Sequence, residues 1–436
     1  MMDRFINFFT SLRLTVVCLV LALVLVFVGT LAQVEIGLYQ AQSEFFRSFF
    51  VYWTPAGTRL KIPVLPGGWL IGLVLLVNLL AAHIKRFQFA RRKTGLILIH
   101  SGLILLLGGQ FVTEIFQVES QMRIEVGETK NYSENGRRNE LAVIDVTDPD
   151  KDRVVAIPES LLAQGGEIRT PALPFALRVE KYYPNSAPAG PMTGGPEKIK
   201  SSQGLGSRLF FSPQPVTRSM DNVNLPAALV QVVSDKGPVG DWVVSAWMTR
   251  HGAMEGLQGD ISGIMPDVKV GAPQTFQYNG RSYAIALRPV RYYKPYSIKL
   301  LAFQHDLYAG TSIARNYSSK IHLHNPRTGE DRDVLIYMNS PLRYGGETYY
   351  QASFEPGDRV TILQVVRNPA ALAPYIACSL VALGLVVQFL SHLSGFARKQ
   401  AQRIKPPPAR QAPGAPLLQP VLARTGPGAS GQGRQL

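Results

Sequence analysis

The chain has 436 residues, of which 46% are hydrophobic and 17% are charged, and its formal net charge is +15. Because the charged fraction is below the globular norm of about 25% and the apolar residues fall in long runs, disorder throughout the chain is excluded. The two cysteines, Cys18 and Cys378, both lie in apolar runs, which excludes a disulfide framework, a CxxC redox pair and a cysteine-based zinc site.

The positive charge is concentrated in two short segments. Residues 85–93 carry a net charge of +5 and residues 394–436 carry +7, whereas residues 113–368 carry only +1. Nucleic-acid binding needs Lys and Arg clustered on one folded face, so we expect no nucleic-acid partner. Each basic segment instead adjoins an apolar run, which is typical of the cytoplasmic ends of membrane spans.

Four apolar runs are long enough to cross a bilayer, because roughly 20 residues at 1.5 Å each cover its hydrocarbon core. These predicted spans are residues 12–32, 64–84, 94–112 and 369–393. The first has no small-residue cleavage site before the next polar stretch, so we expect a retained anchor and not a signal peptide. Four crossings place both basic segments and both termini in the cytoplasm.

The spans divide the chain into four predicted parts: an N-terminal membrane region with three spans (1–112), an extracytoplasmic domain (113–368), a fourth span (369–393) and a basic, disordered cytoplasmic tail (394–436). Alternating runs such as ALVQVV, SYAIAL and KIHLH, separated by turn residues, indicate antiparallel sheets in a sandwich or barrel-like arrangement. Residues 184–207 are predicted to be a long loop or a boundary between two β lobes. The predicted fold class is an α+β membrane protein with four transmembrane helices and a large β-rich domain between spans 3 and 4.

His100 lies inside the third predicted span, seven residues past Lys93 and therefore about 10 Å into the bilayer from its basic end. An imidazole in lipid is costly unless it is hydrogen-bonded or ligates a metal. His100 is therefore either bonded to a neighbouring hydroxyl or carbonyl group, or an axial ligand of haem iron. The glycines of the same run favour close approach of another helix or of a flat macrocycle; they are Gly95, Gly102, Gly108 and Gly109.

Two further histidines lie near the same basic end. His392 is six residues before Arg398, at a depth similar to that of His100, so it either faces His100 across one haem iron or lies at the membrane interface. His83 is only two residues before Lys85. We interpret His83 as an anchor at the headgroup level, with haem ligation as the alternative.

The predicted outer domain contains no motif of a soluble enzyme, neither a Walker A loop nor an HExxH, GxSxG or dinucleotide-binding sequence. His305, His322 and His324 are its remaining candidates. His322 and His324 point to one face of a strand, but with no third ligand nearby we interpret them as part of a solvated face and not as a metal site. The run RPVRYYKPYSIKLLAF is either ordinary strand sequence or a peptide-docking surface.

Several blocks, in order along the chain, resemble the ResB family of membrane proteins in system II cytochrome c biogenesis. They are SLRLTVVCLVLALVLVFVGTLAQ, KTGLILIHSGLILLLGG, FQHDLYAGTSIARNYSSKIHLHNP, MNSPLRYGGETYYQASFEPG and VVRNPAALAPY. The resemblance implies a subunit that is not an enzyme by itself but an accessory part of a haem lyase or haem export complex. It also implies a bacterial inner (plasma) membrane location, with the large domain on the periplasmic side.

The resemblance further implies a ResC/CcsA-like haem-handling membrane protein as the partner, because the WWD motif of that protein is absent from this chain. Haem b would be carried transiently, membrane lipid would surround the spans, and apocytochrome c would receive the haem. His100 falls where the family places its intramembrane haem-ligating histidine, with the second axial ligand expected from the partner.

Two other functional classes remain open at this stage. The chain would be a transmembrane b-type cytochrome if His100 and His392 held haem permanently for electron transfer. It would be a haem-free membrane scaffold if its histidines were structural and its outer domain only bound other proteins.

Overall fold

The computed structural model describes residues 7–55, 58, 60–86, 93–189, 198–217, 222–262, 270–271, 274–310, 314–355 and 357–404. Three predictions fall partly outside these residues. They are the charge of the basic loop, the loop or boundary at 184–207, and the disorder of the tail beyond residue 404.

Four of the described helices are long and apolar enough to cross a membrane, namely the first, third, fourth and seventh. The helices are α1 (Leu12–Ile36), α2 (Leu38–Ala41), α3 (Gly68–Arg86), α4 (Thr94–Phe116), α5 (Glu159–Gln164), α6 (His251–Ser262) and α7 (Ala373–Ile404). A single π-helical turn, Gln42–Phe46, follows α2. The chain thus combines four apolar helices with a large β-rich region that lies between α4 and α7 in sequence.

Each of the four helices differs from its predicted span by at least four residues at one end or both, and two of these differences have a clear cause in the sequence. The second span was predicted from residue 64, but α3 begins at Gly68, because the prolines Pro63 and Pro66 keep the preceding residues extended in a short strand. At the other end of the chain, α7 continues to Ile404, so the first residues of the predicted tail are helical. The Ala, Arg, Lys and Gln residues there are strong helix formers.

Helices α4 and α7 pack closely along a row of glycines seven residues apart. A Cβ atom added at Gly95 would lie 2.7 Å from the Gln388 nitrogen, and one added at Gly109 would lie 2.6 Å from Ala373 Cβ. These contacts show that the two helices run antiparallel. The start of α4 and the end of α7 therefore lie at one end of the pair, and the β-rich region begins at the other.

A buried amide joins α3 to the start of α1. Asn78 accepts a hydrogen bond from Thr15 Oγ1 (2.7 Å) and donates one to the Phe9 carbonyl oxygen (2.6 Å). Because a polar side chain inside an apolar helix needs partners, this network fixes how the two helices are placed against each other.

The strands pair in an antiparallel manner. They are β1 (Phe50–Trp53), β2 (Ile62–Pro66), β3 (Val118–Glu125), β4 (Thr129–Asp145), β5 (Arg153–Pro158), β6 (Gly166–Ile168), β7 (Ala176–Tyr183), β8 (Ser186–Ala189), β9 (Phe210–Pro213), β10 (Ala227–Ser234), β11 (Gly237–Ser245), β12 (Gln274–Tyr278), β13 (Arg281–Leu307), β14 (Ala314–Asn325), β15 (Glu330–Tyr337), β16 (Leu342–Tyr344), β17 (Glu347–Phe354) and β18 (Val360–Arg367). Among the described residues the largest sheet has the order β15-β14-β13-β4-β3-β18-β17-β16, with β12 beside β13 and β5 beside β4. A second sheet has the order β11-β10-β7-β6.

The long strand β13 contributes to two hydrophobic cores. Its first half, including Leu287, packs with Trp242 and other residues of the second sheet, as in a sandwich. Its second half, including Ile298, packs with Leu323 and Leu363 in a separate core. The run predicted to be ordinary strand or docking surface lies in β13, between and within these cores.

Part of the segment predicted to be a loop or lobe boundary forms a strand. Its described residues include β8, which pairs with β9, and the buried Ile199, which forms an isolated bridge with Phe211. These residues pack in a third core together with α6.

Candidate intramembrane histidine site

The structure brings His83 of α3 and His100 of α4 together. Their ring centroids are 6.0 Å apart and the ring planes are inclined by 72°. Both residues are partly buried. The pair lies toward the basic end of the helices, because His83 is two residues before Lys85 and His100 is seven residues past Lys93.

The two rings meet edge to face. Imidazole nitrogens are ordinary ligands of transition metals, so His83 and His100 are the side chains of this site that would hold a metal. Histidine is also an ordinary axial ligand of haem iron.

His392 lies farther along the helix pair. Its Nε2 is 2.8 Å from Gln388 Nε2, one turn away in the same helix, in a hydrogen bond. The contacts of Gly95 with Gln388 and of Gly102 with Val381 put His100 level with a point about nine residues before His392, or about 13 Å along the helix axis. It is His83, and not His392, that the structure places beside His100.

The glycines of α4 contribute to helix packing. A Cβ atom at Gly102 would lie 2.7 Å from Val381 Cγ2, and those at Gly95 and Gly109 would also meet α7 at less than 3 Å. At Gly108 an added Cβ would have no neighbour within 4 Å. Of the two roles predicted for these glycines, close approach of a helix is the one observed at Gly95, Gly102 and Gly109.

Comparison with known proteins concerns the β-rich region. The profile of the ResB-like family matches residues 274–362, which run from β12 into β18. Over this segment the chain is similar to the ResB-like family. Protein NrfI of Wolinella succinogenes is 31% identical over 102 residues, which are 23% of this chain and 11% of NrfI. The chain thus matches only a small part of the length of that relative.

The two matches confirm the predicted resemblance, and two of the blocks that carried it lie inside the matched segment. The profile includes neither His83 nor His100. What supports the histidine site is therefore the geometry of the helices.

The outer histidines of the matched segment are paired with carboxylates. His322 Nε2 lies 2.5 Å from Asp331 Oδ1 and its Nδ1 lies 2.9 Å from Asp333 Oδ1, while His324 Nδ1 lies 3.2 Å from Asp331 Oδ2. The hydrogen bond with Asp333 raises the pKa of His322. No group of three His, Cys, Asp or Glu residues with the geometry of a metal site occurs within the described ranges.

His305 lies in a more apolar setting. Its ring centroid is 4.3 Å from that of Phe354 and its Nδ1 is 3.3 Å from Asp358 Oδ1. This contact ties β13 to the turn between β17 and β18. We assign His305 no ligand.

Sequence reasoning missed a cleft at the opposite end of α4 from the histidine pair. Four arginines from three separate segments line it: Arg47, Arg137, Arg138 and Arg250. A net charge of +1 over residues 113–368 concealed this local excess. The one local signal was the sequence NGRRN, which interrupts the alternating pattern of β4.

Proposed function

We propose that this ResB-like chain is a membrane subunit of system II cytochrome c biogenesis that receives haem at His100 and conveys it across the membrane. The observation that carries the proposal is the 6.0 Å approach of the His83 and His100 rings between two apolar helices. Intramembrane imidazoles are costly unless they are bonded or ligate a metal, and a close pair is a plausible iron site on physical grounds.

The roles of the two histidines differ in this proposal. His100 would hold haem on this chain, together with His83 or with a histidine of a ResC/CcsA-like partner. The whole haem group is the cargo and would be passed on to apocytochrome c. Helix packing against α7 through Gly95, Gly102 and Gly109 keeps α4, and thus His100, in a fixed position.

The proposed orientation puts both termini and the basic loop in the cytoplasm of a bacterial inner membrane. It rests on the charges of residues 85–93 and 394–436. The β-rich region then lies outside, where its low net charge suits protein docking better than electrostatic capture of a small anion. Its partners there would be apocytochrome c and the outer part of the ResC/CcsA-like subunit.

The test is the absorption spectrum of the complex purified with its partner. We expect His100→Ala to abolish the haem Soret absorbance, while His324→Ala, which changes an exposed histidine of the β-rich region, leaves it intact. His83→Ala should shift or weaken the Soret band if His83 is the second ligand. An unchanged spectrum in His100→Ala would reduce this histidine to a packing residue.

Variants of His392 and His100 separate the two alternative functions. Stable stoichiometric haem on the chain expressed alone, lost in His392→Ala, would favour a transmembrane b-type cytochrome. Full restoration of c-type cytochromes by His100→Ala in a deletion strain would favour a haem-free scaffold. The proposal expects haem only with the partner and no complementation by His100→Ala.

A further inference from the structure

The arginine-lined cleft has the size of a ligand-binding site. Its volume is about 860 Å³, within the range of roughly 300–1,000 Å³ that small-molecule sites occupy. Its walls come from the segment after α1, the end of α4, strands β4 and β18, and the residue before α6. It lies about 20 Å along α4 from His100, which is the distance of the fourteen residues to Glu114.

The lining of the cleft is cationic. Four arginines and two glutamates, Glu114 and Glu119, give it a net charge of +2. Arg47 is already paired with Glu114 at 2.6 Å, and Glu119 accepts a hydrogen bond from Gln117 at 2.5 Å. The other three arginines, Arg137, Arg138 and Arg250, lie on the side of the cleft formed by the β-rich region.

Arg250 has unused binding capacity on that side. Its terminal nitrogens donate to neutral oxygens, the Gly136 carbonyl at 2.8 Å and Asn139 Oδ1 at 3.3 Å. Its Nε is buried and has no hydrogen-bond partner among the described residues. Burial lowers the pKa of Arg250, as expected for a guanidinium held away from water. Glu134 and Glu159 act in the opposite direction on this pKa. Arg250 is thus a partly buried cation whose terminal nitrogens donate to neutral oxygens, and an anionic ligand would replace these with stronger, charge-assisted hydrogen bonds.

A break in β4 presents two more arginines beside Arg250. Asn135 Oδ1 accepts hydrogen bonds from the backbone nitrogens of Arg137 (2.9 Å) and Arg138 (2.8 Å). This turn interrupts the pairing of β4 with β13 between Glu134 and Asn139. The Arg137 guanidinium lies 4.2 Å from the centre of the Tyr39 ring, so the aromatic face holds it at the junction with the helices.

The helix-side lining of the cleft is mostly polar, but exposed apolar side chains lie close to it in sequence. Ile115 and Phe116, beside Glu114 at the end of α4, are 54% and 59% exposed, and Val34 near the end of α1 is 83% exposed. A ligand with an apolar body can lie against these side chains while its acidic groups reach the arginines.

We propose that this cleft binds the acidic groups of an amphipathic anion whose apolar body lies against the adjoining ends of α1 and α4. Two sources share this chemistry. One is the pair of propionates of haem, an assignment that rests on the function proposed above. The other is the headgroup of an anionic phospholipid of the same leaflet. Both require carboxylate or phosphate oxygens to meet Arg250, Arg138 and Arg137.

The test uses the full chain in detergent with His83→Ala and His100→Ala, so that haem bound between α3 and α4 does not contribute. Haemin and haemin dimethyl ester, whose propionates carry no charge, are titrated against tryptophan fluorescence. We expect Arg250→Gln to weaken haemin binding about tenfold, because a hydrogen bond to a charged group is lost. Binding of the dimethyl ester should be weak and equal with and without this substitution.

Two variants keep the result interpretable if Arg250→Gln unfolds the chain. Arg138 is exposed, so Arg138→Gln preserves the fold and should weaken haemin binding by a smaller factor, about threefold. The control is Arg178→Gln, because Arg178 lies on β7 and pairs with Glu167 at 3.3 Å. It should bind haemin as the parent does.

The lipid source is tested by native mass spectrometry of the same proteins after exposure to phosphatidylglycerol or phosphatidylcholine. Selective retention of phosphatidylglycerol that Arg250→Gln and Arg138→Gln abolish, with haemin binding unchanged, would identify a lipid headgroup site. Equal binding of haemin and of both lipids in all variants would overturn the proposal. Neither outcome depends on the Soret spectrum of His100→Ala, so the histidine site and the cleft can fail separately.

Discussion

In the β-rich region Lys294 and Glu347 form a buried ion pair, whereas the contact between α4 and α7 is made by glycines and small side chains. The Lys294 Nζ is 2.5 Å from Glu347 Oε1, and Arg288 Nε is 3.1 Å from Glu140 Oε1 in a second buried pair. In the helices the corresponding close contacts are those of Gly95, Gly102 and Gly109 with α7.

The difference follows from the surroundings of each region. In water, burying apolar surface drives the sheets together, and buried charges are tolerated only where each has a partner. Between helices in lipid this driving force is absent, so stability comes from close backbone approach and van der Waals contact. A polar residue that persists in the helices is therefore more informative about function than one in the sheets.

Removing one partner of the buried ion pair should have the largest effect on stability. Lys294→Met leaves the Glu347 carboxylate buried, with only the hydroxyl groups of Tyr296 (3.1 Å) and Tyr349 (2.9 Å) donating to it. We expect the β-rich region to lose about 3 kcal/mol or more of its stability. Amide hydrogen exchange across β13 and β17 of the full chain measures this loss.

An exposed ion pair provides the control for that measurement. Arg332 lies 2.6 Å from Glu330, but its side chain is 49% exposed, so Arg332→Met should cost less than about 1 kcal/mol. The double variant Lys294→Met/Glu347→Gln should recover part of the loss. Equal losses of stability in Lys294→Met and Arg332→Met would show that the buried ion pair contributes no more to the β-rich region than an exposed one does.

The helix contact should be sensitive to one methyl group. In Gly102→Ala the new Cβ would lie 2.7 Å from Val381 Cγ2 and 2.8 Å from the Ala377 carbonyl oxygen. Because backbone cannot move aside as a flexible side chain can, we expect a loss of about 1–3 kcal/mol. Thermal unfolding of the full chain in detergent, with protection of the α7 amides, measures it.

Gly108→Ala is the matched control on the same helix. No atom lies within 4 Å of the added Cβ, and Ala is a better helix former than Gly. This variant should be as stable as the parent or slightly more stable. If Gly102→Ala behaves in the same way, close backbone approach is not what joins α4 to α7.

Sequence patterns predicted the helices and strands themselves better than they predicted which of these elements lie side by side. Apolar runs identified the helices because span length is a local property, and alternation identified the β-rich region for the same reason. The position of β3 beside β18 joins residues far apart in the chain, which local patterns do not encode. The run around Val64 is apolar enough to extend a span, but its prolines place it in a strand, so composition alone misjudged the start of α3.

The candidate site shows the same limit. The depth of His100 follows from counting residues along one helix, so it can be estimated without knowing which helices pack against that helix. Which histidine lies beside it depends on the rotation and neighbours of three helices. Similar depth left His392 open as a facing residue, whereas the structure brings His83 to His100. The cleft escaped notice because Arg47 and Arg250 lie about 200 residues apart in the chain.

The smallest predicted effect on stability concerns the pair of His322 and Asp333, and the size of this effect depends on pH. The hydrogen bond with Asp333 raises the pKa of His322 above its ordinary 6.5, and the same bond lowers the pKa of Asp333 below its ordinary 3.8. Their stabilisation is therefore fully present between these two ordinary values. It is lost as the pH rises through the raised pKa of His322, or falls through the lowered pKa of Asp333.

The thermal midpoint of the full chain at a series of pH values tests this assignment against Asp333→Asn. We expect the difference between the parent and Asp333→Asn to be largest in mildly acidic buffer and to shrink above neutral pH, as His322 loses its proton. Asp331 and Lys320 remain in both proteins, and the exposed Asp152→Asn, between β4 and β5, controls for the loss of one negative charge. A difference that stays constant as the pH rises would mean that Asp333 stabilises this strand pair through Lys320 and not through protonated His322.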